Sequence, residues 1–209
     1  MLKSEFVPAA DPKSPFLMVV LHGLGDSAMG YEWMPSELAL PSLNYLLLNA
    51  PDSYYGGFSW YDIYGEASPG IERSRKLLFE VLDAQRERGF APAQTVMFGF
   101  SQGCLMTIDV GARYPHRLGG LIGVSGYVHE PERLLKEFSP VAREQRFLVT
   151  HGTDDPLIPI GPVGEQVAHL RAAGLNIQWK EFNKAHTIAG QAELGVIRTF
   201  VQEAIKTGH

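Results

Sequence analysis

A serine between two glycines is the first feature of this sequence whose spacing could do chemistry. Ser101 lies in the pentapeptide Gly-Phe-Ser-Gln-Gly, between Gly99 and Gly103. An apolar, strand-like run ends just before it, and a helix-like run begins just after it. At such a tight turn the hydroxyl projects from the loop beside a helix N-terminus, where backbone N–H groups stabilise a developing negative charge. We therefore predict that Ser101 is a nucleophile.

The same motif has a simpler interpretation, because a tight turn with a capping serine contains the same residue types. The strand-like and helix-like runs on either side favour the nucleophile. A second serine, Ser125 in Gly-Val-Ser-Gly-Tyr, also follows a strand-like run but lacks the second glycine at the required spacing. We expect Ser125 to be structural.

A serine nucleophile needs a general base, and the base needs a carboxylate that orients it. In a strand–turn–helix setting the chain order is serine, then Asp or Glu, then histidine. His186 follows the last strand-like run and comes after Asp154 and Asp155, so it is the predicted base. The residues alone do not decide between the aspartates: Asp155 precedes Pro156, which fixes an extended backbone, and Asp154 could cap the turn.

The other histidines are weaker candidates for the base. His22 and His151 end strand-like runs beside a glycine, so we expect them near the site but not in the position of a base. The rest are expected to be solvated or structural: His116, His129, His169 and His209.

These side chains would be positioned by an alternation of apolar strand-like runs and amphipathic stretches. Several runs lack polar–apolar alternation, which indicates strands covered on both faces. The pattern predicts an α/β domain with a mostly parallel sheet, whose function lies at the carboxyl ends of the strands. The predicted strands are Phe16–Gly23, Tyr45–Pro51, Thr95–Phe100, Gly119–Gly126, Arg146–Gly152 and Ile177–Phe182, and the predicted helices are Gly70–Gly89, Gln102–Tyr114, Gly164–Gly174 and Glu193–Lys206.

Composition narrows the class of protein. The 209 residues, 45% hydrophobic and 20% charged, fit one globular domain spanning residues 1–209. A net charge of -5 without a basic cluster argues against nucleic-acid binding. No apolar run is long enough for a membrane span, and the N-terminus does not resemble a signal peptide, so a cytoplasmic location is expected. The single cysteine, Cys104, forms no intramolecular disulfide or thiolate cluster and is expected to be buried.

Five blocks, in order along nearly the whole chain, resemble the phospholipase/carboxylesterase family of α/β-hydrolases. This family includes bacterial carboxylesterases and acyl-protein thioesterases. Together the ordered blocks are far more specific than the serine motif alone. The blocks are LHGLGDS (Leu21–Ser27), APDSYYGGFSWYDIYG (Ala50–Gly65), GFSQG (Gly99–Gly103), HGTDDPLIP (His151–Pro159) and AHTI (Ala185–Ile188).

The resemblance implies an α/β-hydrolase fold with helices on both faces of the sheet, and it implies roles for particular residues. It assigns Ser101 as nucleophile, Asp155 as acid and His186 as base. It also implies that the backbone N–H groups of Leu24 and Gln102 form an oxyanion hole, next to a Gly-rich loop and at the start of a helix.

Four further residues are candidates for substrate binding. The resemblance places the aromatic loop that contains Phe58 and Trp60 close to the acyl pocket, although these side chains could equally cover the edge of the core. Leu157 and Ile158, beside the predicted acid, are expected to line the same groove. The segment between Gly126 and Arg146 is too short for a large cap domain, so we expect a fairly open site.

The implied reaction is a two-step acyl transfer to water. The predicted substrate is a small-molecule carboxylic ester with a short to medium acyl chain, or a thioester, and no metal or cofactor is needed. The alternative is an acyl-protein thioesterase or lysophospholipase acting on long acyl chains. A non-catalytic binding protein is disfavoured by the intact Ser, Asp and His, and a dehydrogenase by the absence of Gly-x-Gly-x-x-Gly spacing. The sequence leaves a homodimer open.

Overall fold

A seven-stranded sheet and a separate two-stranded hairpin make up the β structure of the computed structural model, which describes residues 2–207. His209 lies outside the described residues. In chain order the strands are β1 (Ser4–Val7), β2 (Phe16–Leu21), β3 (Leu43–Leu48), β4 (Asp52–Tyr54), β5 (Gly57–Ser59), β6 (Thr95–Phe100), β7 (Gly120–Val124), β8 (Arg146–Gly152) and β9 (Asn176–Phe182).

The large sheet has the strand order β1-β3-β2-β6-β7-β8-β9, and β4 pairs with β5. The edge strand β1 runs antiparallel to β3, whereas the other neighbours in the large sheet are parallel. Parallel order brings the carboxyl ends of β6, β8 and β9 to one edge of the sheet. The helices are α1 (Met34–Leu38), α2 (Ala67–Glu87), α3 (Gln102–Arg113), α4 (Pro131–Lys136), α5 (Ile160–Ala172) and α6 (Gly190–Thr207).

Helices cover the sheet on both faces. All six residues of β2 are buried, and alternate side chains point to opposite faces of a strand. Leu17 and Val19 pack in one core with residues of α2, α3 and α5. Met18 and Val20 pack in the other with residues of α1 and α6. The predicted α/β-hydrolase architecture is confirmed.

Short or exposed elements account for the differences from the sequence prediction. Strand β1 was not predicted, because Ser4–Glu5–Phe6 is exposed and lacks an apolar run. The β4–β5 hairpin has only three residues per strand. Helix α5 begins at Ile160, before the predicted start at Gly164, because Pro162 is tolerated in the first turn.

The connection between β7 and β8 contains only α4 and one 3₁₀ turn, Ala142–Glu144. The prediction of no large cap domain is therefore confirmed. Among the described residues, no helix has the length and apolar character needed to cross a membrane.

Candidate active site

Ser101 lies at a sharp turn between β6 and α3. Its backbone has φ 54° and ψ −114°, a conformation that side chains rarely adopt. Such a backbone conformation costs about 1–3 kcal/mol of folding free energy, and a residue keeps it only where the surrounding structure enforces it. Here the Ser101 N–H donates to the carbonyl of Val124 at 2.8 Å, which ties the turn to the neighbouring strand.

The two glycines of the motif are required by close backbone contacts. A Cβ atom on Gly99 would lie 2.0 Å from the carbonyl oxygen of Gly103. A Cβ atom on Gly103 would lie 2.4 Å from the carbonyl oxygen of Leu21 in β2. Helix α3 therefore packs so closely against β6 and β2 that only glycine fits at either position.

Three side chains that are distant in sequence converge at the carboxyl edge of the sheet. His186, in the loop after β9, has its Nε2 atom 2.9 Å from Ser101 Oγ. Its Nδ1 atom lies 2.7 Å from Oδ2 of Asp155, which follows β8. Both distances are within hydrogen-bond reach. This arrangement can remove the serine proton and stabilise the imidazolium that results.

Asp155 is built to remain ionised. Burial raises the pKa of its carboxyl, but hydrogen bonds from the Ile158 N–H, from His186 and from the Leu157 N–H outweigh burial and keep the pKa below its usual value. Both backbone N–H groups donate to Oδ1 at 2.9 Å, which leaves Oδ2 for the imidazole. Asp154 is exposed, and its carboxylate contacts the hydroxyl of Thr153 instead.

Two further histidines lie near the site in structural positions. The Nδ1 atom of His22 lies 2.6 Å from the Gly23 carbonyl oxygen, and Nε2 accepts from the Ala50 N–H. A ring nitrogen that accepts a hydrogen bond carries no proton, so the ring is neutral; burial, which lowers the pKa of His22, agrees with this. His151 is fully buried; its Nε2 lies 2.8 Å from the Ile158 carbonyl oxygen, which supports the acid loop.

Leu24 and Gln102 line the same groove as Ser101. Within residues 2–207, no hydrogen bond joins either backbone N–H to a protein acceptor, as the predicted oxyanion hole requires. The Leu24 loop is fixed by two hydrogen bonds at 2.9 Å: the Gly25 N–H donates to the Phe58 carbonyl, and the Phe58 N–H donates to the Asp26 carbonyl.

The side chain of Gln102 fixes the aromatic loop. Its Oε1 accepts from the Trp60 N–H at 2.9 Å, and its Nε2 donates to the Tyr61 carbonyl at 2.8 Å. The Trp60 indole N–H donates to the His22 carbonyl at 2.9 Å. No sequence pattern predicts this network, because an amide beside a serine motif does not reveal its hydrogen-bond partners.

A family model described as phospholipase/carboxylesterase matches residues 2–205. The chain belongs to the phospholipase/carboxylesterase family. It is accordingly a serine hydrolase, as the motif blocks predicted.

Individual relatives agree with this family. Acyl-protein thioesterase 1 of Schizosaccharomyces pombe is 34% identical over 155 residues, which cover 68% of this chain and 69% of that protein. The structure of esterase PE8 superposes with a TM-score of 0.83 at 28% identity and covers 97% of this chain and 99% of that one. The structure of the Bacillus cereus carboxylesterase has the same fold, with a TM-score of 0.82 at 20% identity. The superposition covers 98% of this chain and 95% of that one.

A cavity of about 540 Å³ opens beside Ser101 in this hydrolase. Leu157 and Ile158 line it, as the sequence predicted, and Leu157 is 71% exposed at its rim. The buried Tyr61 and the half-buried Tyr127 also line it, with their hydroxyl groups 3.2 Å apart. An apolar groove ending at a nucleophile suits an acyl chain.

The expectation that Trp60 and Phe58 contact the acyl chain needs correction. Trp60 is fully buried and does not line the cavity, because its indole N–H is drawn inward to the His22 carbonyl. Phe58 is half-buried and packs against the core. Both residues pack in or against the hydrophobic core next to the site, and the neighbouring Tyr61 lines the cavity instead.

A buried ion pair lies beneath the His186 loop. The Lys184 ammonium donates to both carboxylate oxygens of Glu193, at 2.6 and 2.8 Å. Glu193 also accepts from the Thr150 hydroxyl at 2.5 Å and the Ala189 N–H at 2.7 Å. The pair therefore joins both ends of the loop that carries His186 to helix α6.

Proposed function

We propose that Ser101, His186 and Asp155 hydrolyse carboxylic esters with short to medium acyl chains through an acyl-enzyme on Ser101. One observation carries the proposal: Ser101 Oγ and Asp155 Oδ2 lie 2.9 and 2.7 Å from opposite nitrogens of the His186 ring. With its Nδ1 proton bound by Asp155, the neutral imidazole presents a lone pair on Nε2 to the serine hydroxyl.

In the first step, His186 Nε2 removes the Ser101 proton while Oγ attacks the ester carbonyl carbon. The carbonyl oxygen becomes an oxyanion, which accepts hydrogen bonds from the Leu24 and Gln102 N–H groups. When the C–O bond to the leaving alcohol breaks, His186 gives the proton to that oxygen. Asp155 orients the imidazole and stabilises its charged form without taking the proton.

In the second step, water replaces the alcohol. His186 removes a proton from water as the water oxygen attacks the acyl-enzyme carbonyl, and the same N–H groups stabilise the oxyanion. Collapse of this intermediate breaks the bond to Ser101 Oγ, which regains its proton from His186. The products are a carboxylic acid and the free enzyme.

The acyl cavity, with a volume of about 540 Å³ and an open rim, has room for a short to medium chain. The second candidate is an acyl-protein thioesterase or lysophospholipase acting on long chains, and the similarity to acyl-protein thioesterase 1 of S. pombe favours it. A series of esters and thioesters of increasing acyl length separates the two. Under our proposal kcat/KM peaks at short to medium esters, whereas a rise toward long-chain thioesters selects the alternative.

Substitution of the nucleophile tests the chemistry. Ser101→Ala is expected to reduce hydrolysis of short p-nitrophenyl esters by at least about 10³-fold, leaving only oxyanion binding and proximity. Ser125→Ala is the control, because Ser125 is fully buried after β7. Near-native turnover by the Ser101→Ala protein would refute the proposal.

Three sequence-based expectations remain predictions: one domain over residues 1–209, a cytoplasmic location, and a homodimer as an open alternative. Size-exclusion chromatography with light scattering decides the oligomeric state. Fractionation of the source cells decides the location.

A further inference from the structure

A second groove, of about 340 Å³, is lined in part by His186. It shares Asp26, Phe100 and His186 with the acyl cavity, so the two grooves meet at the reacting atoms. Ser101 lines only the acyl cavity. The lining residues of the second groove are Asp26, Gly30, Tyr31, Trp33, Phe100, His186, Thr187 and Ile188.

The second groove is placed to receive the alcohol part of the ester. The leaving oxygen must lie beside His186 Nε2, because the imidazole gives it the proton. The acyl chain occupies the cavity lined by Tyr61, Leu157 and Ile158. The alcohol therefore extends from the imidazole into the remaining groove, where Thr187 and Ile188 continue the wall.

Asp26 gives this groove a negative charge. Its Oδ1 accepts from the Ser27 N–H at 2.8 Å, and the carboxylate lies against Gly30, where an added Cβ would be 2.1 Å from Oδ1. In the described part of the chain, no Lys or Arg pairs with it. Asp26 also acts on Tyr31, which lines the same groove. Burial is the main cause of the raised pKa of Tyr31, and the negative charge of Asp26 is the second cause.

Aromatic rings form much of the remaining wall. Trp33 and Tyr31 have ring centroids 6.0 Å apart, and Phe100 packs 5.1 Å from the His186 ring. No Lys or Arg is found among the described residues that line either groove. Aromatic faces and a carboxylate without a cationic partner together favour an organic cation.

We propose that this second groove selects esters whose alcohol carries an alkylammonium group. The cation lies over Trp33 beside the Asp26 carboxylate, while the ester oxygen stays within reach of His186. An alcohol with a phosphate in that position is disfavoured, because its charge repels Asp26. The inference rests on the proposed function and adds a leaving-group preference to it.

The test compares a choline ester with the neohexyl ester of the same short acid, in which carbon replaces the quaternary nitrogen. The two substrates match in shape and differ in charge. For the unmodified protein, kcat/KM is expected to be about tenfold higher for the choline ester. In Asp26→Asn, which keeps the acceptor for the Ser27 N–H, the ratio is expected to fall to about twofold or less.

Asp62→Asn is the matched control. Asp62 is an exposed carboxylate of the neighbouring loop that lines neither groove, so its removal should leave the ratio near tenfold. A ratio of one or less for the unmodified protein overturns the inference, whatever the variants do. So does an unchanged ratio in Asp26→Asn.

The outcomes separate the two proposals. If the neohexyl ester is hydrolysed in a Ser101-dependent way without a charge preference, the hydrolase mechanism stands and the ammonium subsite fails. If Ser101→Ala hydrolyses both esters normally, the mechanism itself fails. Raising the salt concentration should lower the ratio, because the Asp26 carboxylate is exposed to solvent.

Discussion

Two buried carboxylates, Asp155 and Glu193, fix the same loop in different ways. Asp155 binds the His186 ring in the middle of the loop, and the His186 side chain is 13% exposed to the groove. Glu193 binds Lys184 and the Ala189 N–H at the two ends of the loop, and both members of the ion pair are buried. Asp155 binds a side chain whose proton must move during the reaction, whereas Glu193 binds an ammonium group and stabilises its charge.

The comparison shows how His186, which must take up and release a proton, is carried by a loop whose two ends are held in place by hydrogen bonds to Glu193. Burial lowers the pKa of Lys184, and the Glu193 carboxylate opposes this effect. The ion pair is buried and lines neither groove, so we expect it to position the loop. The Lys184 carbonyl also accepts from the Asp154 N–H at 3.2 Å, which joins the base loop to the acid loop.

The largest expected effect comes from neutralising the catalytic carboxylate. Asp155→Asn should lower kcat by about 10⁴-fold, because an amide stabilises the wrong imidazole tautomer and not the imidazolium. Asp154→Asn is the control and should change kcat less than about threefold, since the Asp154 carboxylate is exposed. Steady-state kinetics with a p-nitrophenyl ester measure both. A larger loss in Asp154→Asn would mean that the acid is misassigned.

Breaking the supporting ion pair should affect stability more than chemistry. Glu193→Ala leaves the Lys184 ammonium buried without its partner and should cost about 3–5 kcal/mol of unfolding free energy, measured by urea denaturation. Glu203→Ala is the control. Glu203 lies on the same helix as Glu193 and pairs at the surface with Arg146 of β8, so its loss should cost less than about 1 kcal/mol of unfolding free energy. Equal losses in the two variants would contradict the supporting role.

A double substitution separates the effect of charge from the effect of packing at the Lys184–Glu193 ion pair. Lys184→Met with Glu193→Gln removes both charges. The amide oxygen of the glutamine keeps an acceptor for the Ala189 N–H, and the Thr150 hydroxyl can turn to accept from the amide NH2. Exchange of a buried ion pair for neutral residues is often nearly neutral, so stability and kcat should both recover most of the loss seen in Glu193→Ala. Recovery of stability without kcat would show that the ion pair has a direct electrostatic role at His186.

The smallest expected effect is the pH dependence that Asp155 contributes to stability. Its folded pKa is below its unfolded value, so its stabilisation is complete above the unfolded pKa of about 3.9 and is lost as pH falls through the lower folded pKa. The difference in unfolding free energy between the unmodified protein and Asp155→Asn should therefore shrink as the pH falls below about 4. A difference that grows as the pH falls below about 4 would contradict the hydrogen-bond assignment.

The sequence predicted the fold and the site best where local residue patterns and the order of residues along the chain determine the catalytic arrangement. The glycines around Ser101, the apolar runs and the position of His186 after the aspartates predict the sheet and the convergent side chains. The Lys184–Glu193 pair was missed because charged residues near a loop and a helix start are expected to be solvated. In the aromatic loop, residue types did not reveal that Trp60 turns to the core and Tyr61 to the groove, since that choice depends on the Gln102 amide.

Covalent labelling tests the central claim most directly. A fluorophosphonate should add one label per chain, and peptide mapping by mass spectrometry should place it on Ser101, with labelling strongly reduced in His186→Ala because the hydroxyl loses its base. A label on another residue such as Ser125, or an undiminished labelling rate in His186→Ala, would contradict the account.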